Sequence, residues 1–303
     1  MKATASSACP VCRAPDAQEA LVQQTNGRAY PFLRCSQCGL LFVSIPPTDQ
    51  ELRDWYDHRW VEEYEERSAE EQQVDQQLQE QRFRHRLAEM RRFASQGRRL
   101  LDIGCQNGTF LVLARAEGWE PRGVELAPAA VEQARQQGLD VVAGTLAQAR
   151  FPAASFDVVT LWHLLEHLPQ PLELLEEIRR ILKPRGLLAI ETPNVDSRAF
   201  RRQGANWEYL LAPQHLCYFG VQSLGTALEQ TGYHVVCQRC EGGTGIALRL
   251  ARAGLGGMRL WLRKYYRVFA PLRSLYLALF GWAAAPDDIL VVYARANEPA
   301  SGS

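Results

Sequence analysis

Residues 98–118 read RRLLDIGCQNGTFLVLARAEG: a short apolar run, a loop that contains glycines, and an amphipathic helical pattern. The apolar run reaches Asp102, and the loop between Gly104 and Gly108 leads directly into the helix. This order places backbone amides and a helix N-terminus at the carboxyl end of a strand, where open α/β sheets bind ligands. The stretch therefore predicts an α/β fold with a ligand-binding loop at 104–108.

Strand and helix patterns alternate from this stretch toward the C-terminus. The runs PRGVEL, LDVVAG, FDVVTLWH and GLLAIET are short and rich in leucine and β-branched residues, and helical patterns lie among them. Such alternation is typical of a parallel sheet that helices cover on both faces through right-handed crossovers. Two later runs, YHVVCQRC and ILVVYAR, predict a terminal strand pair. The predicted fold class is a Rossmann-like, doubly wound α/β sheet.

The loop does not match the dinucleotide fingerprint G-x-G-x-x-G, because Gln106 and Thr109 stand where its second and third glycines belong. The carboxylate of Asp102 is placed to hold an ammonium group. Glu125, at the end of the next strand, can accept two hydrogen bonds from a ribose diol. These residues favour an adenosyl ligand over a nicotinamide dinucleotide.

The motifs LLDIGCQNGTFL, GVEL, FDVVTLWHLLEHLPQP and LLAIETPN resemble those of the class I S-adenosylmethionine-dependent methyltransferases. The resemblance covers roughly residues 98–240 and the last strand. It implies S-adenosylmethionine as cofactor, with the loop around the methionine end, an acid on the ribose, and residues after the third strand beside the adenine. The cofactor-binding residues that it implies are Asp102, Gly104, Gln106, Gly108, Glu125, Leu126, Thr145, Leu146 and Trp162. The family prefers glycine at the position of Gln106 and often has an acid at that of Thr145.

Methyl transfer to a hydroxyl group calls for a base near the methyl group. His163, Glu166 and His167 follow the fourth strand, and their i, i+3, i+4 spacing places them on one face of a helical turn. They are the first catalytic candidates, and the alternative is that Glu166 and His167 only brace the loop. His215, in the segment APQHLCYFG after the fifth strand, is the second-ranked base. No Asn/Asp-Pro-Pro-Tyr-like motif is present, which favours an oxygen or carbon acceptor.

This segment resembles that of quinone-ring O-methyltransferases, in which a related acid-x-x-Glu-His arrangement can hold a divalent cation. His163 stands at the position of the first acid. The resemblance therefore leaves open whether a metal assists catalysis.

Two cysteine pairs lie near the N-terminus, Cys9-x2-Cys12 and Cys35-x2-Cys38. This spacing is typical of two knuckles that supply four thiolates to one zinc ion. Four protein ligands leave no open coordination position, so the pattern predicts a structural zinc in a small ribbon-like domain.

The chain has 303 residues and a formal net charge of +0, which gives no support to sequence-independent nucleic-acid binding. We expect a disordered start (1–8), a zinc-ribbon-like domain (9–45), a helical linker (46–97), the methyltransferase core (98–240), a basic amphipathic insertion (241–286), a final core strand (287–296) and a tail (297–303). No apolar stretch approaches the roughly 20 residues that cross a bilayer, so a cytoplasmic location is expected.

The insertion places Arg259, Arg263 and Arg267 four residues apart within an amphipathic pattern. It is interpreted as a solvated lid or packing layer, with peripheral membrane contact through 258–285 as the alternative. The sequence as a whole predicts methyl transfer to an oxygen or carbon of a small molecule such as a sugar, a quinone or a lipid-linked intermediate. RNA methylation through the ribbon and a non-catalytic binding protein are the alternatives, and no oligomeric state is predicted.

Overall fold

The computed structural model describes residues 8–25, 27–48, 51, 69–94, 97–242 and 287–298. All of the predicted insertion except residues 241–242, including the basic segment 258–285, lies outside the described residues, as do residues 49–50, 52–68 and 95–96 of the predicted linker. The strands within them are β1 (Ala17–Thr25), β2 (Arg28–Cys35), β3 (Leu41–Val43), β4 (Arg99–Ile103), β5 (Glu120–Glu125), β6 (Asp140–Ala143), β7 (Phe156–Trp162), β8 (Leu182–Pro193), β9 (Cys217–Tyr218), β10 (Tyr233–Glu241) and β11 (Ile289–Ala296). The α-helices are α1 (Ala69–Phe93), α2 (Thr109–Ala116), α3 (Pro128–Gln136), α4 (Leu146–Ala149), α5 (Pro171–Ile181), α6 (Arg198–Gln203) and α7 (Val221–Gln230).

In the described part of the chain, the main sheet has seven strands in the order β10-β11-β8-β7-β4-β5-β6. The strands from β8 to β6 are parallel to their neighbours, whereas β11 is antiparallel to both β8 and β10. The strand order reverses between β4 and β7, and open sheets of this type bind ligands beyond the carboxyl ends of the strands at such a point. The predicted doubly wound α/β fold is confirmed.

Helices cover both faces of this sheet, as the apolar strand runs require. Neighbouring residues of one strand point to opposite faces, so Leu100 packs with α1, α2 and α3, while Leu101 packs with α5 and α7. Helix α1 buries Phe83, Leu87 and Met90 against the first of these faces. It is therefore part of the core. Among the described residues, no helix is both long and apolar enough to span a bilayer.

The N-terminal cysteine unit forms a second sheet in the order β1-β2-β3-β9. Its last strand comes from residues 217–218, far along the chain, and pairs antiparallel with β3. One face of the unit shares a core with α5 and α7, and the other packs around Trp207 and Phe200. The unit thus shares its cores with the elements around the main sheet.

Candidate active site

The loop between β4 and α2 adopts backbone conformations that favour glycine. Gly104 and Gly108 have φ angles of 75° and 83°, and Gln106 between them has a φ of 50°. A Cβ added at Gly108 would lie 2.2 Å from the Leu139 side chain, so any larger residue would overlap it. The left-handed region costs residues other than glycine about 1 kcal/mol or more. The preference for glycine at position 106 in the related family therefore has a physical basis.

Two acidic side chains lie at the carboxyl ends of the paired strands β4 and β5. Asp102 is buried and accepts a hydrogen bond from the Thr160 hydroxyl at 2.6 Å. Burial raises the pKa of Asp102 to about 8. Glu125 accepts hydrogen bonds from the backbone N–H groups of Gln106 at 2.9 Å and Ala127 at 2.8 Å. Each oxygen of Glu125 can accept a second bond, so this oriented carboxylate can still receive a diol.

The residues assigned to the adenine side lie at the ends of β5 and β6. Leu126 is 65% exposed and offers an apolar surface beside Glu125, whereas Leu146 is buried. Thr145 caps α4: its hydroxyl accepts from the Gln148 N–H at 3.3 Å, and the Gln148 side chain accepts from the Thr145 N–H at 2.8 Å. The side chain of Thr145 is therefore used within the protein, while Leu126 can contact a flat ring.

Trp162, the last residue of β7, is almost fully buried against Phe110, with 5.3 Å between ring centroids. Its indole N–H has no hydrogen-bond partner among the described residues. An unpaired buried donor costs about 1–3 kcal/mol, so the group is suited to an acceptor that a ligand or a water supplies. The exposed Leu126, the oriented Glu125 and this unpaired donor all fit an adenosyl ligand.

His163 lies between two carboxylates. Its Nδ1 atom is 3.1 Å from Glu166 Oε1, and its Nε2 atom is 3.0 Å from Glu191 Oε1. Burial acts to lower the pKa of His163, but the two carboxylates overcome it and raise the pKa to about 9. In this state His163 is a cation that holds both carboxylates and has no lone pair for a substrate proton.

The local backbone at His163 differs from the helical turn that the spacing predicted. His163 has a φ of 54°, and only Leu165–His167 form a short 3-10 turn. The left-handed residue turns the chain at the end of β7, so that the His163 ring points back toward Glu191 on the neighbouring strand. Contact between His163 and Glu166 is nevertheless made, as the i, i+3 spacing suggested.

Glu191 near the end of β8 also binds two arginines from α1. Its Oε2 lies 2.7 Å from Arg86 Nε, and its Oε1 lies 3.2 Å from Arg82 Nη1. Burial opposes ionisation of Glu191, but Arg82, His163 and Arg86 hold its pKa well below the ordinary value. The result is a buried network in which three cations compensate the carboxylates of Glu166 and Glu191.

Glu166, His167 and His215 form a second cluster beside this network. One ring nitrogen of each histidine and a carboxylate oxygen of Glu166 lie within 4.8 Å of one another. The two rings meet edge to face, with centroids 4.7 Å apart. Glu166 also accepts a hydrogen bond from the Thr192 hydroxyl at 2.9 Å, and its pKa is lowered to about 2 because the contact with His163 outweighs burial.

The tautomer of His215 follows from its surroundings. Its Nδ1 atom lies 3.0 Å from the Tyr209 carbonyl oxygen, and a carbonyl can only accept, so Nδ1 carries the proton. Burial lowers the pKa of His215 to about 3, which leaves Nε2 unprotonated at neutral pH. Burial also lowers the pKa of His167. His215 is thus a neutral imidazole with a lone pair on Nε2.

Sequence reasoning did not identify Glu191, Arg82 and Arg86 as site residues. Glu191 had a usable signal: it is the single acid in the apolar run GLLAIET, close to the strand end that faces the cofactor loop. The arginines had none, because basic residues four apart on a helix are most often solvent-exposed. The four predicted catalytic residues, in contrast, lie in one region. Leu216, which follows His215, donates its backbone N–H to the Glu166 carbonyl at 2.8 Å and so brings His215 beside the turn that carries His163, Glu166 and His167.

The four N-terminal cysteines also lie together. The Sγ atoms of Cys9 and Cys38 are 3.5 Å apart, those of Cys12 and Cys35 are 3.3 Å apart, and all four lie within 4.8 Å of one another. Sulfurs placed tetrahedrally about 2.3 Å from a zinc ion would be about 3.8 Å apart. The predicted cluster is confirmed as a group that could hold a metal ion.

A family model described as "Methyltransferase domain" matches residues 73–238. Among curated proteins, the ubiquinone biosynthesis O-methyltransferase of Paracidovorax citrulli is 33% identical over 126 residues, which are 38% of this chain and 52% of that protein. That of Histophilus somni is 30% identical over 125 residues, with 38% and 52% covered. The chain spans about half the length of these relatives.

Solved structures agree in fold. An S-adenosylmethionine-dependent methyltransferase from Archaeoglobus fulgidus superposes with a TM-score of 0.51 at 21% identity, over 73% of this chain and 94% of that one. A chain from the complex of a methyltransferase activator with a methyltransferase of Haloferax volcanii gives a TM-score of 0.55 at 16% identity, over 82% and 99%. At these identities the likeness extends to the fold alone.

Proposed function

Because this chain belongs to the methyltransferase domain family, we propose that it transfers a methyl group from S-adenosylmethionine to an oxygen or carbon of a small molecule. The observation that carries the proposal is the neutral His215, which has its proton fixed on Nδ1 and lies beside Glu166 at the ligand-binding edge of the sheet. A neutral imidazole with one lone pair can accept the proton of a hydroxyl group.

Asp102, Glu125 and Leu126 would hold the cofactor by its ammonium group, its ribose and its adenine. When bound, S-adenosylmethionine supplies an electrophilic methyl group. The ionised form of Asp102 is required to attract an ammonium group, and that cation would in turn lower the raised pKa of Asp102. Gly104 and Gly108 let the loop turn around the ligand, and the unpaired Trp162 indole is available as a donor.

The acceptor proton is assigned to His215. As the imidazole accepts it on Nε2, the ring becomes a cation, and the Tyr209 carbonyl and the nearby Glu166 stabilise that cation. His163 keeps Glu166 ionised and in place, and His167 packs against the His215 ring. In this assignment His215 is the base, His167 shapes its pocket, and His163 and Glu166 act electrostatically.

The acceptor is proposed to be polar where it approaches Glu191. A cavity of about 280 Å³ borders Glu191 and is lined by Arg82, Arg86 and Glu241, among others. Charged groups of both signs suit a hydroxylated ring better than an apolar one. The names of the curated relatives favour an oxygen acceptor of the quinone type, and a sugar or a lipid-linked intermediate fits the same chemistry.

The four cysteines are proposed to bind one structural zinc ion. Four thiolates from two short turns complete a tetrahedral site and leave no position for a substrate. A cytoplasmic location is retained as part of the proposal. Peripheral membrane contact stays a prediction, because it concerns residues 258–285, outside the described residues.

The deciding experiment supplies methyl-labelled S-adenosylmethionine to the purified protein together with fractionated lipid, carbohydrate, RNA and protein extracts. Label is expected in a small-molecule fraction and should disappear with His215→Gln, while calorimetry shows unchanged cofactor affinity. Label confined to RNA would replace the small-molecule proposal. Cofactor binding without transfer to any fraction would favour a binding protein, and no binding at millimolar concentration would overturn the cofactor assignment.

A further inference from the structure

The cysteine unit and the segment that carries His215 share one β-sheet. Strand β9 begins two residues after His215 and pairs with β3, with Leu41 opposite Tyr218 and Phe42 opposite Cys217. The Val43 N–H donates to the Leu216 carbonyl at 3.0 Å. The sheet that the cysteines anchor therefore continues into the backbone next to the proposed base.

Gln23 makes a second connection from strand β1 of the same unit. Its Oε1 accepts a hydrogen bond from the Ala212 N–H at 2.9 Å, and its Nε2 donates to the Leu210 carbonyl. One side-chain amide thus satisfies a donor and an acceptor of the backbone on either side of Leu211. Such a two-point contact fixes both the position and the orientation of this backbone.

The backbone that Gln23 holds is the one that orients His215. The His215 N–H donates to the Leu211 carbonyl at 2.9 Å, and the His215 ring donates through Nδ1 to the Tyr209 carbonyl. The Tyr218 hydroxyl accepts from the Leu211 N–H at 2.8 Å, and its ring packs 5.8 Å from that of His215. Residues 209–212 therefore lie between the Gln23 contact and the imidazole.

We propose that Gln23 is a positioning residue for His215, and that the cysteine unit is thereby a structural part of the acceptor site. The kinetic part of this inference rests on the proposed function. Gln23 belongs to strand β1, 192 positions before His215 in the sequence, so the base is held from a separate part of the chain. Without this amide the Tyr209–Ala212 backbone loses two of the hydrogen bonds that hold it, so the Tyr209 carbonyl becomes a less fixed acceptor for the Nδ1 proton of His215.

The alternative is that Gln23 only joins the two parts of the molecule. Loss of the amide would then lower stability without affecting the imidazole. The two roles are separated by the tautomer of His215, because a general loss of stability does not move a proton between ring nitrogens in molecules that remain folded.

The test compares Gln23→Leu with Gln24→Leu. Gln24 is the next residue of β1, is exposed, and alternates to the opposite face of the strand. Both variants are labelled with ¹⁵N-histidine, and long-range ¹H–¹⁵N spectra report the tautomer of each of the six histidines. The His215→Gln spectrum assigns the His215 signals.

In the wild type and in Gln24→Leu, His215 is expected to be a single Nδ1-H tautomer. In Gln23→Leu its signals should shift toward a mixture of tautomers, and kcat should fall by about 10- to 100-fold at unchanged cofactor affinity, as expected for a misplaced catalytic group. Gln23→Glu can still accept from the Ala212 N–H but cannot donate to the Leu210 carbonyl. Its tautomer ratio and its kcat should therefore lie between those of the wild type and those of Gln23→Leu.

A wild-type tautomer pattern in folded Gln23→Leu would overturn the inference. Absence of methyl transfer in the wild type would refute the proposed function, while the tautomer comparison would still decide the role of Gln23.

Discussion

His163 and Glu191 are joined twice: the His163 backbone N–H donates to the Glu191 carbonyl at 2.8 Å, and the His163 Nε2 atom lies 3.0 Å from the Glu191 carboxylate. Glu166 occupies the other ring nitrogen at 3.1 Å. A histidine held in this way is a fixed positive charge between two buried acids. Replacing His163 should therefore change the stability of the protein first.

His163→Gln is expected to lower the free energy of unfolding by about 3–5 kcal/mol, because the buried Glu166 loses its compensating cation, while Glu191 loses one of three. The folded-state pKa of His163, about 9, exceeds the unfolded value of about 6.5. Its contribution is therefore complete below about pH 6.5 and is lost as the pH rises through 9. Urea unfolding between pH 6 and pH 9.5 measures this, with His234→Gln at an exposed position of β10 as control. Parallel pH profiles for the wild type and His163→Gln would contradict the assignment.

His215→Gln is expected to lower kcat by about 10²- to 10⁴-fold without changing the affinity for S-adenosylmethionine, as for the loss of a general base. Because burial lowers the pKa of His215 to about 3, the base stays unprotonated from pH 8 down to pH 5. The kcat of the wild type should be flat over this range. His234→Gln, at an exposed histidine, should behave as the wild type. A kcat that titrates near pH 6.5 would exclude His215 as the base.

Asp102→Asn is expected to bind S-adenosylmethionine at least about tenfold more weakly, since a hydrogen bond to a charged group contributes about 1.5–3 kcal/mol. The ligand-free variant should nevertheless be the more stable protein at pH 8. Burial raises the folded-state pKa of Asp102 to about 8, above the unfolded value of about 3.9, so stability falls as the pH rises between these values.

Thermal unfolding at pH 5 and pH 8 checks this prediction for Asp102. The variant's gain in Tm should be larger at pH 8, and the matched change Asp140→Asn at an exposed aspartate should show no such difference. An equal gain at both pH values would contradict the assigned pKa.

Gln106→Gly is expected to raise the free energy of unfolding by up to about 1 kcal/mol, because Gln106 has a φ of 50° and glycine adopts this conformation without strain. The backbone N–H at position 106 still reaches Glu125, so cofactor affinity should be equal to or tighter than that of the wild type. Gln133→Gly, at a helical position of α3, should instead lower the free energy of unfolding by about 1 kcal/mol. Chemical denaturation and calorimetry measure both quantities, and destabilisation by Gln106→Gly would show that its side chain makes a needed contact.

Metal analysis of freshly purified protein is expected to find about one zinc ion per chain. Cys35→Ser should lose the metal and lower Tm, because the free energy of binding a structural metal adds to the stability of the folded chain. Cys237→Ser, outside the cluster, should keep the metal and the wild-type Tm. Protein without zinc in which Cys9, Cys12, Cys35 and Cys38 all react freely with a thiol reagent would refute the metal site.

Much of the architecture could be predicted from local sequence. The alternation of apolar strand runs and helices predicted the parallel sheet, and the order of Asp102, Gly104, Gly108 and Glu125 placed these residues at the carboxyl ends of the neighbouring strands β4 and β5. The cysteine spacing likewise indicated a four-sulfur cluster, which the structure brings together. These features are short-range, because strand period, tight turns and knuckles are set by neighbouring residues.

The protonation states of the site histidines could not be predicted from local sequence. The spacing of His163, Glu166 and His167 predicted that these side chains lie together, as they do, but it did not distinguish a cation from a base. Glu191 reaches His163 from β8, Arg86 reaches Glu191 from α1, and Gln23 reaches the His215 segment from the cysteine unit. No pattern within a single segment predicts such contacts.

The sequence by itself thus determined the fold class, the placement of Asp102 and Glu125 at the ends of neighbouring strands, and the cysteine cluster, since each follows from short-range patterns in the chain. Only the tertiary structure decided which histidine is charged and which is neutral. Protonation depends on burial and on the charges and hydrogen bonds around a group. Neighbours in the chain supply only part of these surroundings. His163 is a cation because Glu191, 28 residues away on β8, joins the nearby Glu166, and His215 is neutral because packing of the folded chain buries it.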